Sequence, residues 1–367
     1  MTEEKTAAIR KPNLGFLYVL GVNGQILVHY AALRGIAWPE YIEALRDGLQ
    51  IYGVVRDGVY AETGYEGVES HTAAVFSRRG SIGRSPNMTL VFAGLCGHGP
   101  GFTGRAEMAD PDQLALMHDA FAEMRRRLEA SRPDALLVVA AEHFANFFMD
   151  NMPAFAIGMA DYYDGPIEDP DWLGIEPVRI PGDKALSRRL ITSVMQDVDV
   201  AYGEEWKFDH GISVPLHFLT PEYDPPIIPT NINCQGPPLP PLRRCWTFGE
   251  ALRGAIDAAP ERIAIIGTGG ISHWPATPDS GKINEDWDRA FLDRVLHHDR
   301  DALLAYSDAD VYRDAGQGGF EMRTYIALSA ATQDCAGDLL LYEPIPIFAV
   351  GVTVATMTIP EQRRAAE

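Results

Sequence analysis

An α/β fold is what this sequence predicts, with a central mixed sheet covered by helices on both faces and preceded by an N-terminal extension. From residue 88 onward, short apolar runs alternate with longer amphipathic ones, the order that places helices around a sheet. Two of the short runs, residues 135–141 (Ala-Leu-Leu-Val-Val-Ala-Ala) and 262–267 (Arg-Ile-Ala-Ile-Ile-Gly), are apolar almost throughout, as buried strands are. A chain of 367 residues, 46% hydrophobic and 22% charged, can also bury a large core.

Residues 14–30 read as a strand pair around Asn23-Gly24, a dipeptide that turns tightly because both positions tolerate positive φ. Residues 40–52 have the spacing of an amphipathic helix, and the Arg-, Gly- and Ser-rich residues 77–86 read as a linker. The boundary is placed there, leaving an extension over 1–86 and the main domain over 87–367. In the main domain, residues 88–95 read as a strand, 112–130 as a helix, 135–141 as a strand and 184–196 as a helix capped by Asp183. Residues 226–233 follow as a strand, 247–258 as a helix, 262–267 as a strand and 284–298 as a helix. A last helix begins near Gly318 with Glu321 in its first turn, where the helix dipole favours a carboxylate whatever its use. The Pro-rich residues 236–241 read as an extended surface connection.

Charge and composition exclude several classes of function. A formal charge of -20 and a pI near 4.9 oppose a phosphate-tracking surface, so nucleic acid is not an expected partner. The polar start Met1-Thr-Glu-Glu-Lys and the lack of any apolar run near the ~18 residues that cross a bilayer predict a cytoplasmic protein without a membrane span. The four cysteines, Cys96, Cys234, Cys245 and Cys335, are widely spaced without a C-x-x-C pair, which predicts reduced thiols rather than disulfides or structural zinc. Cys96 is expected to be a small packing residue.

The chemistry concentrates in five short segments: Leu95-Cys-Gly-His98-Gly-Pro-Gly, Glu142-His143-Phe-Ala-Asn, Asp209-His210-Gly, Gly267-Thr-Gly-Gly-Ile-Ser-His273 and Gly318-Gly-Phe-Glu321. His98, His143 and His273 each follow an apolar strand within a few residues, so they collect along one edge of the sheet, where ligands bind in such folds. Two histidines and a carboxylate suit a mononuclear Fe(II) site with open positions, and the remaining histidines can handle protons. Singly each signal is weak. A lone histidine in an apolar segment is more often a hydrogen-bonded core residue, and His210 suits an ordinary helix start with Asp209 as its cap. The glycines around His98 suggest close approach of backbone or ligand, and the paired glycines before His273 suggest unusual backbone angles. The loop Gly-His-Gly-Pro-Gly lacks the lysine and spacing of a phosphate loop. His217, seven residues after His210, is the reserve candidate; His29, His71, His118, His297 and His298 lack comparable settings.

The order and wording of these motifs resemble the class III (LigB-type) extradiol dioxygenases over residues 88–358, nearest in wording to the catalytic subunit of protocatechuate 4,5-dioxygenase and more distantly to 2,3-dihydroxyphenylpropionate 1,2-dioxygenase. The matching text includes Glu142-His143-Phe-Ala-Asn-Phe-Phe-Met-Asp-Asn-Met-Pro153, Asp209-His210-Gly-Ile-Ser-Val-Pro-Leu216, Gly267-Thr-Gly-Gly-Ile-Ser-His273, Ile283-Asn-Glu-Asp-Trp-Asp288 and Gly319-Phe-Glu321. The resemblance implies Fe(II) held by His98, His143 and Glu321, with His273 as the acid/base histidine and His210 as a second active-site histidine. It implies a catechol-type ring opened beside its diol with O2, to a hydroxymuconic semialdehyde-type product. In the family the first metal histidine usually lies near the chain start, whereas here His98 follows a long extension. That extension is rich in aromatic residues, among them Phe16, Tyr18, Trp38 and Tyr52, and is expected to cover the open face of the site or to build a subunit contact. A chain beginning near Asn87 tests this through its oligomeric state and its preference among catechols. A homodimer is the default assembly. The rival readings are a metal-binding or scaffold protein of this fold without ring cleavage, a zinc or iron hydrolase, and an aminophenol-cleaving relative. An iron assay with aerobic and anaerobic turnover separates them.

Overall fold

The computed structural model describes residues 89–360 and the backbone of two strands in the N-terminal extension. The chain divides into two compact units, Met1–Ser85 and Pro86–Glu367. In the first, β1 (Gly15–Leu20) and β2 (Ile26–Ala31) pair antiparallel with Leu20 opposite Ile26, the pair that Asn23-Gly24 predicts. The helix expected at 40–52 and the linker at 77–86 lie outside the described residues.

The second unit is built on an eight-stranded sheet. Its order is β11 (Ala336–Ile345), β12 (Val350–Thr358), β3 (Leu90–Cys96), β10 (Ile263–Thr268), β4 (Ala135–Ala140), β9 (Ile227–Ile232), β5 (Phe155–Gly158) and β8 (Ala201–Gly203). β3, β10, β4 and β9 run parallel, while β12 pairs antiparallel with both β3 and β11, and β5 antiparallel with β9. The sheet is mixed, as predicted. A separate two-stranded sheet joins β6 (Tyr162–Gly165) to β7 (Val178–Pro181).

Alternate residues of the central strands enter two different cores. Leu137 and Val139 of β4 join Ile263 and Ile265 of β10 on one face, while Leu136 and Val138 join Ala264 and Ile266 on the other. Parallel strands apolar on both faces need helices on both. α1 (Pro111–Ser131), with Met117 and Phe121, and α3 (His210–Leu219), with Ile212 and Leu216, cover one face. α2 (Lys184–Val194), α4 (Leu242–Ala258), α5 (Glu285–Leu296) and α7 (Met322–Ala331) cover the other, with α6 (Asp308–Ala315) contributing Val311. Each large apolar side chain so buried stabilises the fold by about 1.5–3 kcal/mol.

The helix ends follow local chemistry. Asp183 caps α2 by accepting from the Leu186 N–H at 2.8 Å, as expected. α4 begins five residues earlier than its predicted start at 247, because Leu242, Cys245 and Trp246 extend its buried stripe at i, i+3 and i+4 up to the proline run that ends at Pro241. All four cysteines are free and buried, and no helix among the described residues is long and apolar enough to cross a membrane.

One buried carboxyl gives the fold a pH dependence. Asp288 of α5 is fully buried, its Oδ1 accepting from the Ser272 N–H at 2.8 Å and its Oδ2 from the Tyr342 hydroxyl at 2.7 Å. Burial nevertheless pushes this carboxyl up to about 6, against about 3.9 in an unfolded chain. A raised folded value favours the folded state below the unfolded value, and that contribution, about 3 kcal/mol, disappears as pH rises through 6. Asp288→Asn removes the titration. Between pH 4.5 and 7.5 wild type should therefore lose more stability than this variant in urea unfolding, and equal losses would rule Asp288 out as the cause.

Candidate metal centre and active site

β10 lies between β3 and β4 and parallel to both, so the three strands end side by side at one edge of the sheet. His98 stands two residues beyond β3, His143 three beyond β4 and His273 five beyond β10. Glu321 and His210 arrive from helix starts, at α7 and α3. The structure brings all five sequence candidates together. His98 Nε2 is 3.1 Å from Glu321 Oε2, His143 Nε2 is 3.2 Å from Glu321 Oε1, and His273 Nε2 is 3.9 Å from the same Oε1. The His210 ring stacks on His143 with centroids 4.0 Å apart.

Each histidine has its Nδ1 committed away from this carboxylate. Thr268 donates its only hydroxyl proton to the Gly211 carbonyl at 2.7 Å, so it must accept from His98 Nδ1–H at 3.1 Å. His143 Nδ1–H donates to Asp209 Oδ2 (3.1 Å), His210 Nδ1–H to Glu168 Oε1 (2.7 Å) and His273 Nδ1–H to the Ile271 carbonyl (3.1 Å). With that nitrogen protonated, the neutral form of each ring carries its lone pair on Nε2. Two lone pairs, from His98 and His143, then face the two oxygens of one carboxylate. Acceptors facing acceptors need a cation or protons between them.

That conflict is the test of whether the residues fit a metal, and they do. Burial alone would raise the Glu321 carboxyl, but the charge of His98 and hydrogen bonds from His143 and His98 hold it well below the usual range. Burial alone would lower His143, yet its hydrogen bonds to Asp209 and Glu321 carry it up to about 10. Protons drawn so strongly into a buried cluster mark a place where a divalent cation can replace them. Ligand atoms about 2.1 Å from such an ion and at right angles lie about 3 Å apart, which agrees with the His98–Glu321 and His143–Glu321 separations. Proximity alone offers another trio, because one ring nitrogen from each of His98, His143 and His210 lies within 4.8 Å of the others. Glu321 is the better third member, since each of its oxygens faces one of the two histidines and it brings the negative charge. Glu321 does stand at the start of α7, but its side chain makes no cap hydrogen bond to that helix. Instead its Oε2 accepts from the Gly270 N–H at 2.5 Å.

Two expectations about glycine need correction. Neither glycine of the pair before His273 has positive φ, and Gly270 is required for space: a Cβ there would sit 2.5 Å from the His273 ring, as one on Gly318 would at 2.3 Å, whereas one on Gly269 would meet the Thr324 hydroxyl at 3.1 Å. Likewise, what approaches Gly97 and Gly99 is the Phe102 ring, and what approaches Gly101 is Phe348. Gly318→Ala should therefore push the His273 ring aside without touching His98, His143 or Glu321, lowering turnover at least ~10-fold with metal content unchanged. Turnover at the wild-type rate in that variant would mean that the ring is not confined as the structure places it.

His217 is exposed on α3 beside Phe218 and does not join the site. Several contributors escaped the sequence reading: Thr268, Glu168, Gln235 and the side chain of Glu142. Gln235 Nε2 donates to Glu321 Oε1 at 3.3 Å. Glu142 accepts from the N–H groups of Ala145, Asn146 and Phe147 and so ties down the loop after His143, where Phe144 takes the left-handed φ of 59°. Asp209 does cap α3, accepting from the Gly211 N–H at 3.0 Å, and its other oxygen also holds His143. Only the Asp-His and Glu-His dipeptides hinted at such pairings.

A carboxylate clasped by imidazoles beyond the ends of parallel strands would be a costly way to fill a core, and it defines a class of α/β enzymes that combine a metal locus with acid–base histidines. Comparison with known proteins narrows that class. Residues 93–354 match the catalytic LigB subunit of aromatic ring-opening dioxygenase, and the chain belongs to this family. Similar proteins include the 2,3-dihydroxyphenylpropionate/2,3-dihydroxicinnamic acid 1,2-dioxygenases of Cupriavidus necator, 31% identical over 288 residues (66% of this chain, 90% of that one), and of Paraburkholderia xenovorans LB400, 30% identical over 285 residues (64% and 88%). The family resemblance read from the motifs is thereby borne out, and the chain is an extradiol-type aromatic ring-opening dioxygenase.

Proposed function

We propose that this enzyme opens a catechol-type ring beside its diol with O2, using Fe(II) held by His98, His143 and Glu321, to a hydroxymuconic semialdehyde-type product. The observation that carries the reading is the pair of Nε2 atoms, from His98 and His143, each close to one oxygen of buried Glu321, at 3.1 and 3.2 Å. Two neutral imidazoles and one carboxylate suit Fe(II), which when bound supplies adjacent open positions for diol and O2. The chain's own residues do the rest. His273, with Nδ1–H held by the Ile271 carbonyl, presents a basic Nε2 that takes the proton of a substrate hydroxyl. The His210 ring stacks on that of His143 and, with Nδ1–H held by Glu168, donates in the later ring-expansion step a proton it has first taken up at Nε2. The Gly270 N–H and the Gln235 amide hold the Glu321 carboxylate in place throughout.

The names of the relatives make 2,3-dihydroxyphenylpropionate the first substrate to try. Chain loaded anaerobically with one equivalent of Fe(II) is mixed with O2 and a panel of substituted catechols and 2-aminophenols. The expected result is one O2 consumed per ring opened, with no reaction from the Zn(II)-loaded chain. Failure with every diol but success with an aminophenol would transfer the reading to that class, and failure with all of them would overturn it. The expected assembly is a homodimer, checked by light scattering.

A further inference from the structure

We infer that Glu168 is the positioning residue of His210, clamping the imidazole so that its Nε2 is presented to the substrate; this rests on the proton-donating role proposed for His210. One oxygen of Glu168, Oε1, accepts from both the His210 backbone N–H at 2.8 Å and His210 Nδ1–H at 2.7 Å. Holding a ring and its own main chain on a single oxygen fixes both the rotamer and the tautomer. The chain uses the same device once more at this site, where Asp209 Oδ2 accepts from the His143 N–H at 2.6 Å and from His143 Nδ1–H at 3.1 Å. There the clamp aims an Nε2 at Glu321, and in Glu168 it aims the ring stacked directly upon it.

The segment carrying Glu168 is itself pinned. The Ile167 N–H donates to the Phe208 carbonyl at 2.9 Å, and Asp169 caps the single helical turn Pro170–Leu173 by accepting from the Asp171 N–H at 2.8 Å. Leu173 is buried, and its carbonyl accepts from the Thr103 hydroxyl at 2.5 Å. That same turn sets the Trp172 ring edge-on to His210 at 6.1 Å. The second oxygen of Glu168 is buried with no hydrogen-bond partner among the described residues, so among those residues the carboxylate's hydrogen bonds, and its one close basic contact, go to His210.

The bland alternative is that Glu168 only satisfies the free N–H at the start of α3. The two roles separate in the full-length Fe(II)-loaded enzyme with Glu168→Ala, Glu168→Gln and His210→Ala. Outer partners of active-site histidines are worth about 10–100-fold, so Glu168→Ala should lower kcat by ~10-fold or more, with KM within ~3-fold and iron content unchanged. Glu168→Gln, whose amide oxygen can accept both hydrogen bonds, should stay within ~3-fold of wild type. On a His210→Ala background, Glu168→Ala should cost nothing further. An equal loss on both backgrounds overturns the inference, as does a Gln variant as impaired as Ala. The tautomer is read independently from ¹⁵N-histidine spectra of the full chain loaded with diamagnetic Zn(II). His210 should carry its proton on Nδ1 in wild type and Glu168→Gln and lose that preference in Glu168→Ala; an unchanged tautomer in Glu168→Ala overturns the inference. Should His210→Ala leave turnover intact, the role proposed for His210 fails, while the spectra still decide whether Glu168 clamps it.

Discussion

Glu321→Ala should leave the purified chain with less than about a tenth of the iron of wild type and with no ring opening. The carboxylate is the group on which the cluster converges, 2% exposed and facing His98 on one oxygen and His143 on the other. Removing it takes away the negative charge in the cluster's centre and leaves only the two imidazoles of His98 and His143 from the proposed ligand set. It also strands the Gly270 N–H, which donates to Glu321 Oε2, so the loop leading to His273 loses its anchor. Loss of metal and loss of turnover should therefore coincide. His210→Ala supplies the control, because proximity would admit His210 as an alternative third ligand. Iron measured by atomic absorption should stay near one per chain in that variant. Full iron in Glu321→Ala together with iron loss in His210→Ala would reverse the assignment.

What could be read from the sequence was whatever depends on local pattern. The apolar runs at β3, β4 and β10 marked three strand ends, and each end carries a histidine within a few residues. Their convergence followed from the parallel order alone. The partners that give those histidines their direction could not be read this way. Thr268 is bonded to His98 across 170 positions, Asp209 to His143 across 66 and Glu168 to His210 across 42. Such pairings arise from how loops fold back over the sheet edge, and a threonine at the end of an apolar strand looks like any other strand residue. The glycines at 270 and 318 were visible but their reason was not, since only the folded chain places the His273 ring against both.

His273→Ala should keep its iron and lose turnover by roughly 10²–10⁴-fold, about 3–5 kcal/mol of barrier, the scale of a positioned acid–base group. The geometry separates this residue from the ligands. Its Nε2 is 3.9 Å from Glu321 Oε1, beyond hydrogen-bond reach, whereas His98 and His143 approach to 3.1 and 3.2 Å. Its Nδ1–H rests on a neutral carbonyl rather than a carboxylate, so nothing in that bond favours the imidazolium as strongly as Asp209 does for His143. Burial, partly offset by the Glu321 charge, lowers its pKa below the ordinary imidazole value. A histidine shifted that way is neutral and able to accept a proton at neutral pH, and becomes protonated only on the acid side. The turnover of wild type should accordingly fall toward low pH as His273 takes up a proton, and the residual turnover of His273→Ala should lack that limb. Catechol binding followed anaerobically should change far less than turnover, since the lost interaction belongs to proton transfer. Loss of iron from His273→Ala would instead make His273 a ligand and free Glu321 from that role.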